Sequence, residues 1–300
     1  MSVEDEIRAA AMQWLEQVTL AGTIPVSREQ LANDFRYHGT RFPLVDRGRG
    51  IRKPQGWSAA LSIMTAAAAA GRPSPYADVV GPDGLPRYKF RRDEGGQAEN
   101  QSLRVAMRDQ LPLIWLVGLQ PGLFQPLFPE YLVAEETQLE QFVLSPTPAG
   151  AELATGSPVE SELRRYLVAQ RRVRLHQATF AATVMRAYRT QCSVCRLGHR
   201  ELLDAAHITP DIEAGGAPIV TNGIALCKIH HVAYDRNILG IRPDYTIEIH
   251  SRLLYEIDGP MLLHGLQEHH GTKLMRLPSR LVERPDPDRL QDRWQRFQAA

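Results

Sequence analysis

The spacing of apolar positions changes several times along the chain, and each change marks a segment. Residues 2–19 place Ile7, Ala11, Trp14, Leu15 and Val18 at helical spacing behind Ser2 and the acidic turn Glu4, Asp5 and Glu6, which predicts a capped amphipathic helix. A second short helix is predicted from Ser27 as cap, with Leu31 and Phe35 facing inward. From Pro86 to Leu144 the pattern becomes one of short strands: RYKFRR at 87–92, LPLIWLVG at 111–118, YLVAEE and QFVL. They surround one helix capped by Asn100 and ending near Gln110, with tight connections at Gln120–Gly122, Pro126 and Pro129. A small α+β barrel accounts for this order.

SPTPAGAELATGS at 145–157 has linker composition and no period. Ser157, Pro158 and Glu160 then open a helix that reaches about Ala187. Beyond it the pattern predicts a strand at 202–208, a loop through Gly215 and Gly216, a turn at Thr221–Gly223 and a helix from about Ile224 to Tyr234. LGIRPDYTIEI at 239–249 reads as strand and turn, and RPDPDRLQDRWQRF as a last short helix with Trp294 and Phe297 on one side. The expected organisation is a helical head (1–40), a barrel domain (41–145), a linker (146–157) and a C-terminal domain (158–300) with its core at 190–250. The two head helices have the size of a helix-turn-helix, but a structural head packed on the next domain explains them more simply.

Composition narrows the function only in part. The 300 residues are 43% hydrophobic and 23% charged, as in ordinary globular proteins, which excludes a disordered chain. A formal net charge of +1 leaves a nucleic-acid partner to be argued from local patches. Three clustered cysteines exclude a secreted disulfide framework and suit metal ligation in a reducing compartment. The start MSVEDEIRAA lacks a signal-peptide pattern, and the longest apolar run, Leu111–Phe124, is interrupted and too short to cross a bilayer. A cytoplasmic protein without a membrane partner is expected.

Local charge adds two candidate nucleic-acid surfaces. The glycine-relieved loop at 41–57 carries Arg41, Arg47, Arg49, Arg52 and Lys53 with Trp57 interleaved, and reads either as a phosphate contact through Arg49, Arg52 and Lys53 or as a solvated loop. The long helix presents Arg164, Arg165, Arg171, Arg172, Arg174, Arg186 and Arg189 with few acids after Glu162, an excess that favours phosphate tracking over a merely solvated face. The aromatics Tyr76, Tyr88, Phe90, Trp115, Phe124, Phe128 and Tyr131 could as a set line a pocket for an extruded base, although any single ring is more readily a core residue.

The chemistry concentrates between Cys192 and Asp235. Cys192 and Cys195 form a C-x-x-C knuckle, and Cys227 with His230 forms a C-x-x-H knuckle thirty-two residues after Cys195. Four such ligands close a tetrahedral Zn2+ site with no open position, a structural staple for a segment whose own core is expected to be slight. The zinc leaves His207, Asn222, His231 and Asp235 free. They are fifteen, nine and four residues apart, the last step placing both side chains on one helix face.

This constellation resembles the HNH, or ββα-metal, endonucleases over about residues 159–250. The resemblance implies a zinc-stapled ββα-metal domain in which His207 is the general base, Asn222 the orienting residue, and His231 and Asp235 the ligands of one catalytic Mg2+ or Mn2+. Many members of the family carry a further ligand directly before the base, where this chain has Ala206; either the metal has two protein ligands or Asp204 reaches it. The whole chain also resembles modification-dependent restriction endonucleases that join an N-terminal reader to an HNH module, in several of which the reader is a PUA-like barrel of the SRA type. The expectation is a DNA endonuclease cutting modified double-stranded DNA, with a homodimer expected for a double-strand cut. Two alternatives remain: an HNH nuclease indifferent to modification, and a non-catalytic zinc-stapled DNA-binding protein. In the last case His207→Ala would remove no activity, while Cys192→Ser would unfold the C-terminal half.

Overall fold

The computed structural model describes residues 2–20, 22, 24–46, 48–67, 80–92, 96–148 and 158–300; for 158–166, 168, 171 and 172 it describes the backbone alone. By contacts the chain divides into two compact units, Met1–Ala178 and Thr179–Ala300.

The first unit opens with α1 (Val3–Val18), closed at its start by a reciprocal pair: Asp5 N–H donates to Ser2 Oγ at 3.2 Å and Ser2 N–H to the Asp5 carboxylate at 2.8 Å. The strand β1 (Val26–Ser27) leads into α2 (Arg28–Asn33), where Ser27 and Gln30 repeat the device. A hairpin of β2 (Arg36–Tyr37) and β3 (Thr40–Arg41) follows. Then come β4 (Ile51–Arg52), β5 (Ser62–Thr65), β6 (Arg87–Lys89), α3 (Gly96–Arg108), β7 (Leu113–Gln120), β8 (Leu123–Glu136) and β9 (Gln141–Ser145).

Seven strands form one mixed sheet in the order β4-β5-β7-β8-β9-β6, with β1 added on β8. Among the described residues of this sheet, only β5 and β7 run parallel. The fourteen-residue β8 pairs β7 with its first part and β9 with its second, and register shifts on both sides curl the sheet into a half-barrel. The strand β7 is buried on both faces, which explains its unbroken apolar run. Leu113, Trp115 and Val117 join Leu103 and Ala106 of α3 in one core, while Ile114 and Leu116 join Ile7, Leu15, Leu31 and Phe35 of the head helices in another. The head is therefore packed on the sheet.

Three local expectations need correction. Asn100 lies inside α3, not at its start; its buried side chain accepts from Arg91 N–H and donates to Arg91 C=O, tying the segment after β6 to the helix. Pro126 and Pro129 belong to β8 and do not end strands: β1 covers β8 only at Leu123 and Phe124, and Pro129 sits in the irregular stretch between the Glu130 and Leu127 pairings. The residues Ile224–Cys227 are strand, where a helix was expected. Tyr76, Arg47, Ser157 and the linker from 149 onward lie outside the described residues.

The helix α4 (Pro158–Ala187) spans the contact boundary. In the second unit β10 (Leu203–His207) pairs antiparallel with β11 (Gly223–Cys227), and α5 (Lys228–Asp235) follows directly: a ββα motif. A hairpin of β12 (Leu239–Ile241) and β13 (Ile247–Ile249), then α6 (Ser251–Leu254), α7 (Pro260–Gly265) and α8 (Pro287–Gln298), complete it. Trp294 and Phe297 of α8 stack at 5.0 Å, and Phe297 covers β12 where Gly240 leaves room. The core is larger than the motif alone would supply, since Phe180, Val184, Tyr188, Leu239, Ile247 and Leu290 join it from outside 192–235. Among the described residues no helix is long and apolar enough to cross a membrane.

The parallel pairing of β5 and β7 gives a test of the first unit. A Cβ on Gly118 would lie 2.5 Å from Ala67 N and 2.7 Å from Thr65 O, both backbone atoms. Gly118→Val is expected to lower stability by about 1–3 kcal/mol, read as an earlier urea midpoint; an unchanged midpoint would mean that the two backbones do not approach so closely.

Candidate active site

Two clusters form around the β10–β11 pair, one at each end. At the first, Cys192 and Cys195 lie in the turn after α4, Cys227 ends β11 and His230 sits in the first turn of α5. Their four ligand atoms all lie within 4.8 Å of one another, with His230 Nδ1 3.4 Å from Cys192 Sγ and 3.1 Å from Cys227 Sγ. Zinc bonds of about 2.3 Å to sulfur and 2.0–2.1 Å to nitrogen set tetrahedral ligand atoms roughly 3.5–3.8 Å apart, so the set fits that ion. His230 Nε2 lies 2.7 Å from Gly265 C=O, which fixes the ring and leaves Nδ1 toward the sulfurs. Three thiols this close cannot share more than one negative charge without a cation. Their mutual hydrogen bonds accordingly push Cys192 far above the ordinary thiol range and pull Cys227 far below it.

At the other end His207, the last residue of β10, faces Gly223 in register. Asn222, fully buried in a single 3-10 turn just before β11, accepts from Thr209 N–H at 2.8 Å and donates to Thr209 C=O at 3.0 Å and Ala217 C=O at 3.1 Å. Its own carbonyl accepts from Ile208 N–H at 2.9 Å. The asparagine thus clamps the two residues after His207 and the far side of the loop. His207 is half-buried, its ring stacked on Phe180 with centroids 4.0 Å apart, and its Nε2 is buried without a hydrogen-bond partner among the described residues. Burial lowers its pKa below 6.5; the charge of Asp211 opposes this, His231 adds to it and Asp235 opposes it.

His231 lies between two carboxylates, one at each ring nitrogen. Asp204 Oδ2 is 3.1 Å from Nδ1, and Asp235 Oδ2 is 3.4 Å from Nε2. The other Asp204 oxygen accepts from Lys228 Nζ at 2.6 Å. The hydrogen bond from His231, followed by that from Lys228, outweighs burial and holds the Asp204 carboxyl below the usual range; the same contact with Asp204 raises His231. Ala206, directly before His207, is fully buried and carries no atom that could ligate a metal.

The candidate phosphate contacts are dispersed. Arg49 is exposed and 3.6 Å from Glu99; Arg52 is folded back onto Asp46 at 2.7 Å and the Pro43 carbonyl; Lys53 donates to the Trp57 carbonyl. Arg174 is exposed, while the side chains of Arg164, Arg165, Arg171 and Arg172 lie outside the described residues. His269 is buried edge-on against His230 at 5.6 Å. Sequence reasoning missed Phe180, Asp211 and Lys228. Only Lys228 carried a signal, as a charged neighbour of the C-x-x-H knuckle.

The HNH endonuclease family model matches residues 192–242, the stretch that contains both clusters. No curated protein matches the chain. Among solved structures, one described as a modification-dependent TagI restriction endonuclease is 16% identical, with 82% of this chain and 84% of that chain covered, at a TM-score of 0.30. A score of that size does not superpose the two folds.

The clip is tested by metal content. The purified chain is expected to hold one zinc by elemental mass spectrometry, and Cys192→Ser to lose it and melt several degrees lower; a metal-free wild type melting like the variant would refute the clip.

Proposed function

We propose, from the premise that residues 192–242 form an HNH endonuclease domain, that the chain is a metal-dependent DNA endonuclease of restriction type in which His207 is the general base. The observation that carries the reading is the buried Asn222 clamp, which holds the backbone directly after His207 while the imidazole stays half-buried at the end of a two-stranded ladder. Phosphodiester hydrolysis needs a neutral imidazole that takes a proton from the attacking water. The lowered pKa of His207 keeps it in that form.

The residues that would hold the catalytic cation are His231 and Asp235. Their Nε2 and Oδ2 atoms, 3.4 Å apart on one helix face, can share one ion, and an imidazole with a carboxylate suits Mg2+ or Mn2+. Bound there, the cation would offset negative charge developing on the phosphate and the leaving 3′ oxygen. We assign Asp204 to holding the Nδ1 side of His231, since both of its oxygens already face donors. The Cys192, Cys195, Cys227 and His230 cluster would carry Zn2+ as the structural ion.

The first unit supports the finer reading, a reader of modified bases. At the open edge of its curled sheet lies a cavity of about 410 Å³ lined by Gly50, Met64, Tyr88, Phe90 and Arg91 among others. Aromatic rings beside a guanidinium suit a flat, polar-edged ligand such as a nucleobase. Double-strand cleavage would then require two copies of the chain, one active site per strand.

Plasmids carrying unmodified, 5-methylcytosine, hydroxymethylcytosine or phosphorothioate DNA, offered in Mg2+ or Mn2+, test both levels. His207→Ala is expected to abolish cutting while DNA binding and fold persist; residual cutting at the wild-type rate would remove His207 as base. Equal cutting of all four plasmids would remove the reader and leave the nuclease. At saturating cation, which suppresses proton competition at His231, the rate should also keep its neutral-pH value on acidification until below about pH 6.5, because the base is needed unprotonated and burial lowers its pKa; an acid limb above that value that more cation does not shift would contradict the assignment.

A further inference from the structure

The long helix α4 ends against the candidate base through one stripe of side chains. Phe180 and Val184 of α4 and Tyr188, which follows the helix and keeps the helical bond from its N–H to Val184 C=O, are spaced four residues apart, so they lie on one face, and all three are buried. Within the second unit the stripe meets the ladder at Gly223, the residue opposite His207. Tyr188 donates its hydroxyl to the Gly223 carbonyl at 3.2 Å. A Cβ on Gly223 would lie 2.3 Å from Val184 Cγ2 and 2.9 Å from Phe180 Cζ. The missing side chain is therefore the notch that admits the helix.

Within that notch the Phe180 ring lies nearly flat against the His207 imidazole, at 4.0 Å between centroids and 17° between planes. His207 Nε2 is buried and faces no hydrogen-bond partner among the described residues, so Nδ1 is the nitrogen left for a water to reach. With no hydrogen bond at Nε2 to anchor it among the described residues, the imidazole could turn about its side-chain bonds. A face-to-face ring contact restricts that rotation.

We propose that Phe180 is a positioning residue for His207: admitted by Gly223, its ring holds the imidazole plane so that Nδ1 points to the attacking water. The inference rests on the reading of His207 as the base and goes beyond it by assigning a role to a helix residue outside the ββα motif. Phe180 touches no reacting atom. Its effect belongs to the orientation of the proton acceptor, where a small misplacement lowers turnover and leaves substrate binding alone. Leucine is the informative substitute, because it keeps an apolar side chain in the notch and removes the flat face.

The test uses the full chain and the plasmid cut fastest in the panel above. Phe180→Leu is expected to lower kcat about tenfold or more with KM within about twofold of wild type, at a melting temperature near wild type. In the unaltered chain with labelled histidine, the ring protons of His207, identified as the resonances missing from His207→Ala, should lie upfield because the Phe180 ring current shields them. That shift should vanish in Phe180→Leu. Wild-type kcat in a folded Phe180→Leu would overturn the proposal. Unshifted His207 resonances in the unaltered chain would overturn it too, whether or not Phe180→Leu folds. If His207→Ala itself cuts at the wild-type rate, the assignment of the base fails, and the positioning role fails with it.

Discussion

A ladder of five residue pairs holds the chemistry of the C-terminal unit together. Leu203 to His207 run opposite Cys227 to Gly223, so one short ribbon ends in a cysteine of the candidate zinc cluster at one side and in the imidazole at the other. Its ends are separated by roughly 13 Å at about 3.3 Å per residue. A two-stranded ribbon is marginal in water by itself. Here the Cys3His cluster closes one end, and the Asn222 clamp with the stripe on α4 closes the other. A side chain at the tip of such a ribbon is only as well placed as the ribbon is rigid.

The metal cluster does not bear that load alone. The short motif between Cys192 and Asp235 would have little core of its own, but the end of α4, the β12–β13 hairpin and α8 add buried side chains around it. The first unit solves a similar problem differently. Its central strand β7 is covered on one face by α3 and on the other by the head helices, so the sheet needs no metal, and its curl leaves an edge where Tyr88 donates to Gly50 C=O without a ladder between β4 and β6.

How much of this was legible depended on whether the signal was local. The caps at Ser2 and Ser27, the end of α4 at Ala187 and the turn at Gly122 follow from residue types whose effect spans one turn. Ligand spacing was equally legible, and the cysteines and His230 do converge. GIALC misled because a short apolar run buried on all sides has neither helical nor strand periodicity, and its strand character comes from pairing with β10. Asn100 misled because its amide serves a distant backbone as a cap residue serves a near one. Phe180 was invisible for a related reason: it reads as one more apolar position on a long helix, and only the absence of a side chain at Gly223, forty-three residues on, brings it to His207.

The charges around His231 explain how a lysine can stand next to the proposed cation site. Two carboxylates, Asp204 and Asp235, flank the imidazole, and one ammonium, Lys228, pairs with Asp204, leaving one negative charge when the imidazole is neutral. Lys228 is spent on Asp204, and Asp204 is spent on Lys228 and Nδ1 of His231, so the free negative charge belongs to Asp235. Asp235 is exposed and meets Nε2 only at 3.4 Å, longer than a good hydrogen bond, so this pair opens at little cost to a cation. The charge of Asp235 also raises the pKa of His207, against the burial that lowers it. Neutralising Asp235 with a cation removes the smaller of the two opposing charges, Asp211 being the larger, and lets burial lower His207 further. Cation binding at one imidazole therefore favours the unprotonated state of the other, which is the state a general base requires.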